Sequence, residues 1–189
     1  ISAHEHTACN VEKFKKACAD GDVSLVEKIL KETPKDLYHN MLQVNHYECF
    51  FKCLSLAAVD ETDRYDPFEW SYDENMFKLI RLLWKHFSPD QRIQLAQSLK
   101  VKHLPAVSGD CYGYEGPQAI DHKVGMFLLN LFKDSPNALN IFISQCGEKI
   151  IKSWVARDTE DSSYSFNDIV TYCYENQDMM KPLALKMIE

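Results

Sequence analysis

The stretch SGDCYGYEGP, Ser108 to Pro117, sets Cys111 beside Asp110, with His103 and His122 nearby in the chain. A cysteine nucleophile needs a base within hydrogen-bond reach and a group that orients that base. His103 or His122 would be the base here, and Asp110 or Asp121 the orienting carboxylate. A backbone N–H near Gly109 or Gly113 would serve as an oxyanion donor. That chemistry is a cysteine-dependent hydrolase or transferase. Two features oppose it. No helix N-terminus falls at Cys111 to lower the thiol pKa, and no protease signature surrounds it. The competing reading makes the stretch a connection between two helices, with glycines that let the chain turn.

A second chemistry-bearing stretch is DETDRYDPFEWSYDE, Asp60 to Glu74. Its seven carboxylates (Asp60, Glu61, Asp63, Asp66, Glu69, Asp73, Glu74) surround Tyr65, Phe68, Trp70 and Tyr72, with Arg64 the single base. Exposed aromatics anchor protein interfaces, and acids around them select a basic partner. The bland reading folds the aromatics back over the core and leaves the acids solvated. The acids lack the order of a calcium loop. His4, His6 and Cys9 in HEHTAC are zinc-ligand types but lack a fourth ligand, which makes a solvated, disordered terminus the expectation. Cys49 and Cys53 are four apart, on one helical face, which suits a buried apolar stripe better than a metal site. No metal and no cofactor is expected.

These residues sit in an ordinary globular composition. The chain has 189 residues, 46% hydrophobic and 26% charged, enough to bury a proper core. A net charge of −7 with no basic cluster excludes a nucleic-acid surface. No apolar run reaches the roughly 18 residues of a membrane span; the longest, Met126 to Phe132, is interrupted by a polar residue. Seven scattered cysteines, an odd number, argue for a reducing, intracellular compartment rather than a disulfide framework. The absence of an initiating Met and the ending PLALKMIE suit a fragment of a longer protein whose catalytic region lies elsewhere.

The elements that must position the candidate sites come from a repeat. Phe14, Ala17 and Cys18 keep helical spacing, Asp20-Gly21-Asp22 breaks the chain, and Leu25, Val26, Ile29 and Leu30 form a second apolar stripe. LVEKILK, Leu25 to Lys31, is matched residue for residue by LIRLLWK, Leu79 to Lys85, and by FLLNLFK, Phe127 to Lys133; a weaker copy is Asp168 to Glu175. Each of the first three precedes a proline: Pro34, Pro89 and Pro136. Further helical segments follow these prolines: Asp36 to Gln43, Asp90 to Leu99 and Asn137 to Gln145. First helices are expected at Cys53 to Val59, His103 to Gly109 and Ser153 to Asp158. No strand alternation competes. The expected fold is all-α, one domain of four stacked units at about 11–46, 47–100, 101–146 and 147–189.

The first unit resembles an ankyrin repeat: Ala17, Gly21, Val26, Ile29 and Leu30 occupy the A-x-x-G-x-x-x-x-V-x-x-L-L places. Ser55 to Ala58 followed by Phe77 to Trp84 looks like a second copy. The family's Thr-Pro-Leu-His opening is missing, long insertions separate the paired helices, and helices stand where the family has β-hairpins. A generic solenoid of the HEAT or armadillo type stays open. Divergent repeats with insertions are similar to those of effectors that intracellular bacteria deliver to host cells, which would place this chain in host cytoplasm. The resemblance implies a monomeric, non-enzymatic module that binds another protein through a concave face and loops.

In that repeat Ser108 to His122 takes the place of Asp60 to Glu74 and of Thr159 to Phe166, all joining a unit's first helix to its second. Insertions recurring at one place lie on one edge of a stack. Tyr65, Phe68, Trp70, Tyr72, Tyr112 and Tyr114 are then the candidate partner-binding residues.

Overall fold

The computed structural model describes residues 3–60, 70–104, 106–107, 119–120 and 122–158, with side chains over 10–58, 71–104 and 123–147. It is a helical fold: α1 (Ala3–Asp20), α2 (Val23–Glu32), α3 (Lys35–Ala57), α4 (Glu74–His86), α5 (Pro89–Ser98), α6 (His122–Phe132) and α7 (Pro136–Asp158). Two short ladders interrupt it, β1 (Ala58–Asp60) with β2 (Trp70–Tyr72), and β3 (Ala106–Val107) with β4 (Ala119–Ile120). By its contacts the chain divides into two compact units, Ile1–Val59 with Ser71–Leu95, and Asp60–Trp70 with Ala96–Glu189.

In the first unit the α1–α2 break follows from glycine. Gly21 sits at φ 72°, its N–H donates to the Cys18 carbonyl at 3.3 Å, and the next N–H, of Asp22, reaches back to the Ala17 carbonyl at 3.0 Å. These are the paired bonds of a left-handed helix end, which satisfy carbonyls the helix leaves orphaned. The Asp22 carboxylate then accepts from Leu25 N–H at 3.1 Å and starts α2. At its far end Thr33, extended ahead of Pro34 (φ −92°, ψ 130°), returns its N–H to the Ile29 carbonyl.

Helix α4 is the centre of this unit. Met76, Phe77, Leu79, Ile80, Leu83 and Trp84 are buried along it, and it packs on both α2 and α3. The opposite face carries Glu74, Lys78, Arg81 and Lys85, all exposed. Each large apolar side chain so buried contributes about 1.5–3 kcal/mol. The chain then turns a corner into α5. Arg92 lies 4.8 Å from the Trp84 ring centroid, and its Nη2 donates to the Trp84 carbonyl at 3.0 Å, placing a cation at the α4 C-terminus.

Gln91 ties this corner to α3. Its backbone N–H donates to Ser88 Oγ at 3.2 Å while its own Oε1 accepts from Ser88 N–H at 3.1 Å, a reciprocal cap at the start of α5. Its Nε2 donates to the His39 carbonyl at 2.8 Å and to Gln43 Oε1 at 3.1 Å, and His39 Nδ1 approaches its Oε1 at 2.9 Å. Only 5% of Gln91 is exposed.

Helix α3 is not one straight rod. Val44 is extended (ψ 132°), and Asn45, His46 and Tyr47 are left-handed at φ 53°, 55° and 64°. The two expected segments, Asp36 to Gln43 and Cys53 to Val59, are thus the two arms of a kinked α3, the second arm ending at Ala57. In the second unit α6 packs on α7, and α7 also contacts β4 and a 3-10 turn, Val101–His103. Lys100 Nζ donates to Gln97 O and Gln145 Oε1, both at 3.0 Å, and buried Cys146 lies 4.0 Å from the Leu99 carbonyl.

Four expectations change. The helix at His103 to Gly109 is replaced by the 3-10 turn and β3; Leu104 is extended (φ −91°, ψ 139°) because it precedes Pro105. Strands exist, but at two and three residues they are too short to show alternation. Asn137 to Gln145 and Ser153 to Asp158 belong to one continuous α7. HEHTAC continues α1 rather than forming a disordered terminus. The fourth-unit segments Asp168 to Glu175 and Thr159 to Phe166 lie outside the described residues.

Two substitutions test this account in urea unfolding. Gln91→Ala strips partners from Ser88 N–H and the His39 carbonyl and is expected to cost about 1–3 kcal/mol. Gly21→Ala forces a side chain into left-handed backbone, with its Cβ 3.4 Å from Met76 Cε, and is expected to cost about 1–2 kcal/mol; a loss under 0.3 kcal/mol, roughly the noise of additivity, would contradict either account.

Candidate partner-binding cleft

The first unit carries an open cleft of about 560 Å³ where the end of α1, the end of α3 and the start of α4 converge. Ala19, Asp20 and Leu56 form one side; Ser71, Tyr72, Asp73, Glu74, Asn75 and Met76 form the other. Three local features build it. The glycine turn ends α1 at Asp20, so that carboxylate stands at a helix terminus rather than within a stripe. The α3 backbone becomes extended at Ala58 (φ −138°, ψ 130°) and enters β1. Asp73 N–H donates to the Ala57 carbonyl at 3.0 Å, joining the start of α4 to the end of α3.

Its electrostatics are largely settled by structural duties. Asp73 is the N-cap of α4, its Oδ1 accepting from Asn75 N–H at 3.0 Å. Asp20 Oδ2 accepts from Lys16 Nζ at 2.7 Å, one helical turn back. That bond, and the charge behind it, raise the Lys16 ammonium above its ordinary value. Glu74 is exposed in the first turn of α4, where the helix dipole favours an anion. Tyr72 is half-buried, its ring 6.4 Å from that of Phe77. The lining therefore offers a small apolar floor (Ala19, Leu56, Met76), a phenol and an acidic rim. This arrangement suits contact with an apolar or basic side chain; the lining contains no thiol or imidazole.

Of the six candidate anchors, Tyr72 lines this cleft. Trp70 is in β2, two residues away by backbone. Tyr65, Phe68, Tyr112 and Tyr114 lie outside the described residues, as do Cys111, Asp110 and Asp121. Apart from Asp121, these residues belong to the segments joining paired strands: 61–69 between β1 and β2, and 108–118 between β3 and β4, where Ala106 pairs with Ile120 and Val107 with Ala119. Asp20 and Leu56 were not singled out by the sequence. The break at Asp20-Gly21-Asp22 was the available signal, because a carboxylate that ends a helix beside a turn projects from the bundle.

His103 and His122 are placed differently. His122 is the first residue of α6. His103 ends the 3-10 turn, and its Nδ1 accepts from Lys100 N–H at 2.9 Å. That bond commits the neutral ring to the tautomer with its proton on Nε2, so a base at His103 would first have to release the turn. Burial, then the nearby Lys102 and Lys100 ammonium groups, lower its pKa. Among the described residues, no group of three or more His, Cys, Asp or Glu side chains is placed to hold a metal ion, and no helix is long and apolar enough to cross a membrane.

A lowered His103 pKa has a definite sign. The unfolded chain takes up the proton first, near pH 6.5, so the contribution to stability is complete above that pH. It is lost as pH falls through the lower folded value. In a two-dimensional NMR titration the His103 ring is expected to titrate below the roughly 6.5 of an unperturbed histidine; a midpoint at or above that value would refute the assignment.

No protein-family model, curated protein or solved structure matches the chain.

Proposed function

We propose that this protein is a non-enzymatic helical repeat module, ankyrin-like with inserted segments, that binds another protein. Its partner contacts are Tyr65, Phe68, Trp70 and Tyr72, joined by Tyr112 and Tyr114 from the equivalent segment. The observation that carries the reading is the cleft beside β2: half-buried Tyr72 lines it, above an apolar floor and among Asp20, Asp73 and Glu74. An aromatic with one wet edge in a concave setting is a usual anchor of protein recognition. The acid-rich insertion that rejoins the fold there favours a partner with a basic surface, attracted across water and held in register by charge. Mounting the insertion on paired strands supports the same reading, because a ladder fixes the two ends of a binding segment. An effector of an intracellular bacterium, acting in host cytoplasm, is the biological setting that the resemblance suggests.

The test is affinity capture from cells followed by measured binding of the captured partner. The double variant Phe68→Ala/Trp70→Ala is expected to weaken that binding at least about tenfold while helical circular dichroism is retained. Binding by the unaltered protein is expected to fall as salt rises past about 0.15 M. Undiminished binding by the double variant would remove the insertion from the interface.

A further inference from the structure

The sharp change of direction inside α3 is made without glycine or proline. The α1–α2, α2–α3 and α4–α5 breaks carry Gly21, Pro34 and Pro89. In α3 the break falls on Val44, Asn45, His46 and Tyr47, the last three left-handed at φ 53°, 55° and 64°. Left-handed backbone strains any residue with a Cβ. All four are residue types that a right-handed helix accommodates at modest cost. Helical arms flank them on both sides within residues 35–57. Locally, then, the chain favours a straight α3, and tertiary contacts hold it bent. Tyr47 is the counterweight: its hydroxyl donates to Gln94 Oε1 at 2.7 Å and its ring meets Phe87 edge-on. Asn45 and His46 are exposed, so the core makes no demand on their side chains.

We propose that two copies of this chain exchange α1, α2 and the first arm of α3 about this hinge, forming a dimer in which each α3 runs as one continuous helix. The contacts across the hinge make the exchange conservative. Lys15 of α1 lies 3.3 Å from Glu48, and Cys53 Sγ of the second arm lies 3.7 Å from the Cys18 carbonyl. Helix α2 packs on α4, and Gln91 of α5 donates to the His39 carbonyl and Gln43 Oε1 of the first arm. Straightening α3 breaks all of these within one copy. A second copy straightened likewise restores all of them between copies. Outside the hinge the closed monomer and the exchanged pair therefore share the same packing. A strained hinge of this kind invites exchange. Each dimer relieves two strained hinges against one loss of translational freedom, so its share rises with protein concentration. The cleft also becomes composite, with Ala19 and Asp20 from one copy and Leu56, Tyr72 and Asp73 from the other. That consequence does not depend on what the cleft binds.

The test uses the unaltered 189-residue chain. Equal parts of ordinary and heavy-nitrogen protein are unfolded in guanidinium, refolded together under reductant and separated by size exclusion with light scattering. A dimer is expected whose share grows with concentration up to about 1 mM. The isolated dimer is treated with a carbodiimide, which joins a lysine to a carboxylate it touches, and the linked peptides are read by mass spectrometry. Exchange puts Lys15 and Glu48 on different copies, so about half of their linked peptides should carry mixed isotopes. The Lys15–Glu12 link lies within α1 and should stay unmixed. Two hinge variants give an independent readout. Asn45→Ala/His46→Ala favours the straight helix, and Asn45→Gly/His46→Gly relieves the kink. The dimer-to-monomer ratio of the first should exceed that of the second by at least about tenfold. Both variants lose the same Asn45–Glu48 hydrogen bond, so their difference reads the backbone. Should either fail to fold by circular dichroism, the isotope map of the unaltered chain decides alone. Monomer at every concentration, Lys15–Glu48 links confined to one isotope, or equal ratios in the two variants would overturn the proposal.

Discussion

The buried stripe of α4 is the constraint on which the first unit depends. Six large apolar side chains between Met76 and Trp84 leave water only if α2 and α3 cover them. Every break in the neighbouring chain serves that cover. The glycine turn brings α2 back beside α1, and Asp73 bonds to the end of α3 as it starts α4. Gln91 then fixes the first arm of α3 to the start of α5. A buried amide is tolerable there because both its oxygen and its nitrogen are satisfied. The polar knot costs little and specifies a single arrangement.

The kink in α3 shows what the packing overrides. Three successive non-glycine residues in the left-handed region cost on the order of 1–3 kcal/mol each. Asn45 is the residue type best suited to that region, and its Nδ2 donates to Glu48 Oε2 at 2.7 Å. Tyr47 is offset by its surroundings: its ring meets Phe87 edge-on at 5.5 Å, and its hydroxyl donates to Gln94 Oε1 at 2.7 Å. The turn re-aims the second arm of α3, so that Cys49, Phe50, Cys53 and Leu54 all face the core. The same re-aiming brings Cys53 Sγ to 3.7 Å from the Cys18 carbonyl of α1.

The helices were legible because each carries its own period and its own stop signal. The stripes of α2, α4 and α6 and the prolines after them mark those helices without reference to anything else. The cleft was legible only in part. Tyr72 stood out as one aromatic among acids, but nothing local to Asp20 or Leu56 announces that they lie opposite it. The partner of Gln91 is 52 residues away, and no periodicity encodes such a pairing. Short strands escaped for a related reason: a two-residue strand is defined by the neighbour it bonds to, not by its own pattern.

By itself the sequence determined the helical class, the places where helices must break, and the acidic, aromatic character of the insertion between α3 and α4. These follow from side-chain periodicity, from proline and glycine backbone preferences and from composition, all of which act within a few residues. Only the tertiary structure decided which carboxylates face Tyr72, that His103 spends its acceptor nitrogen on a turn, and that Cys53 meets the Cys18 carbonyl from another helix. Those facts arise when distant apolar faces must share a single dry interior, a condition that no stretch of chain meets alone.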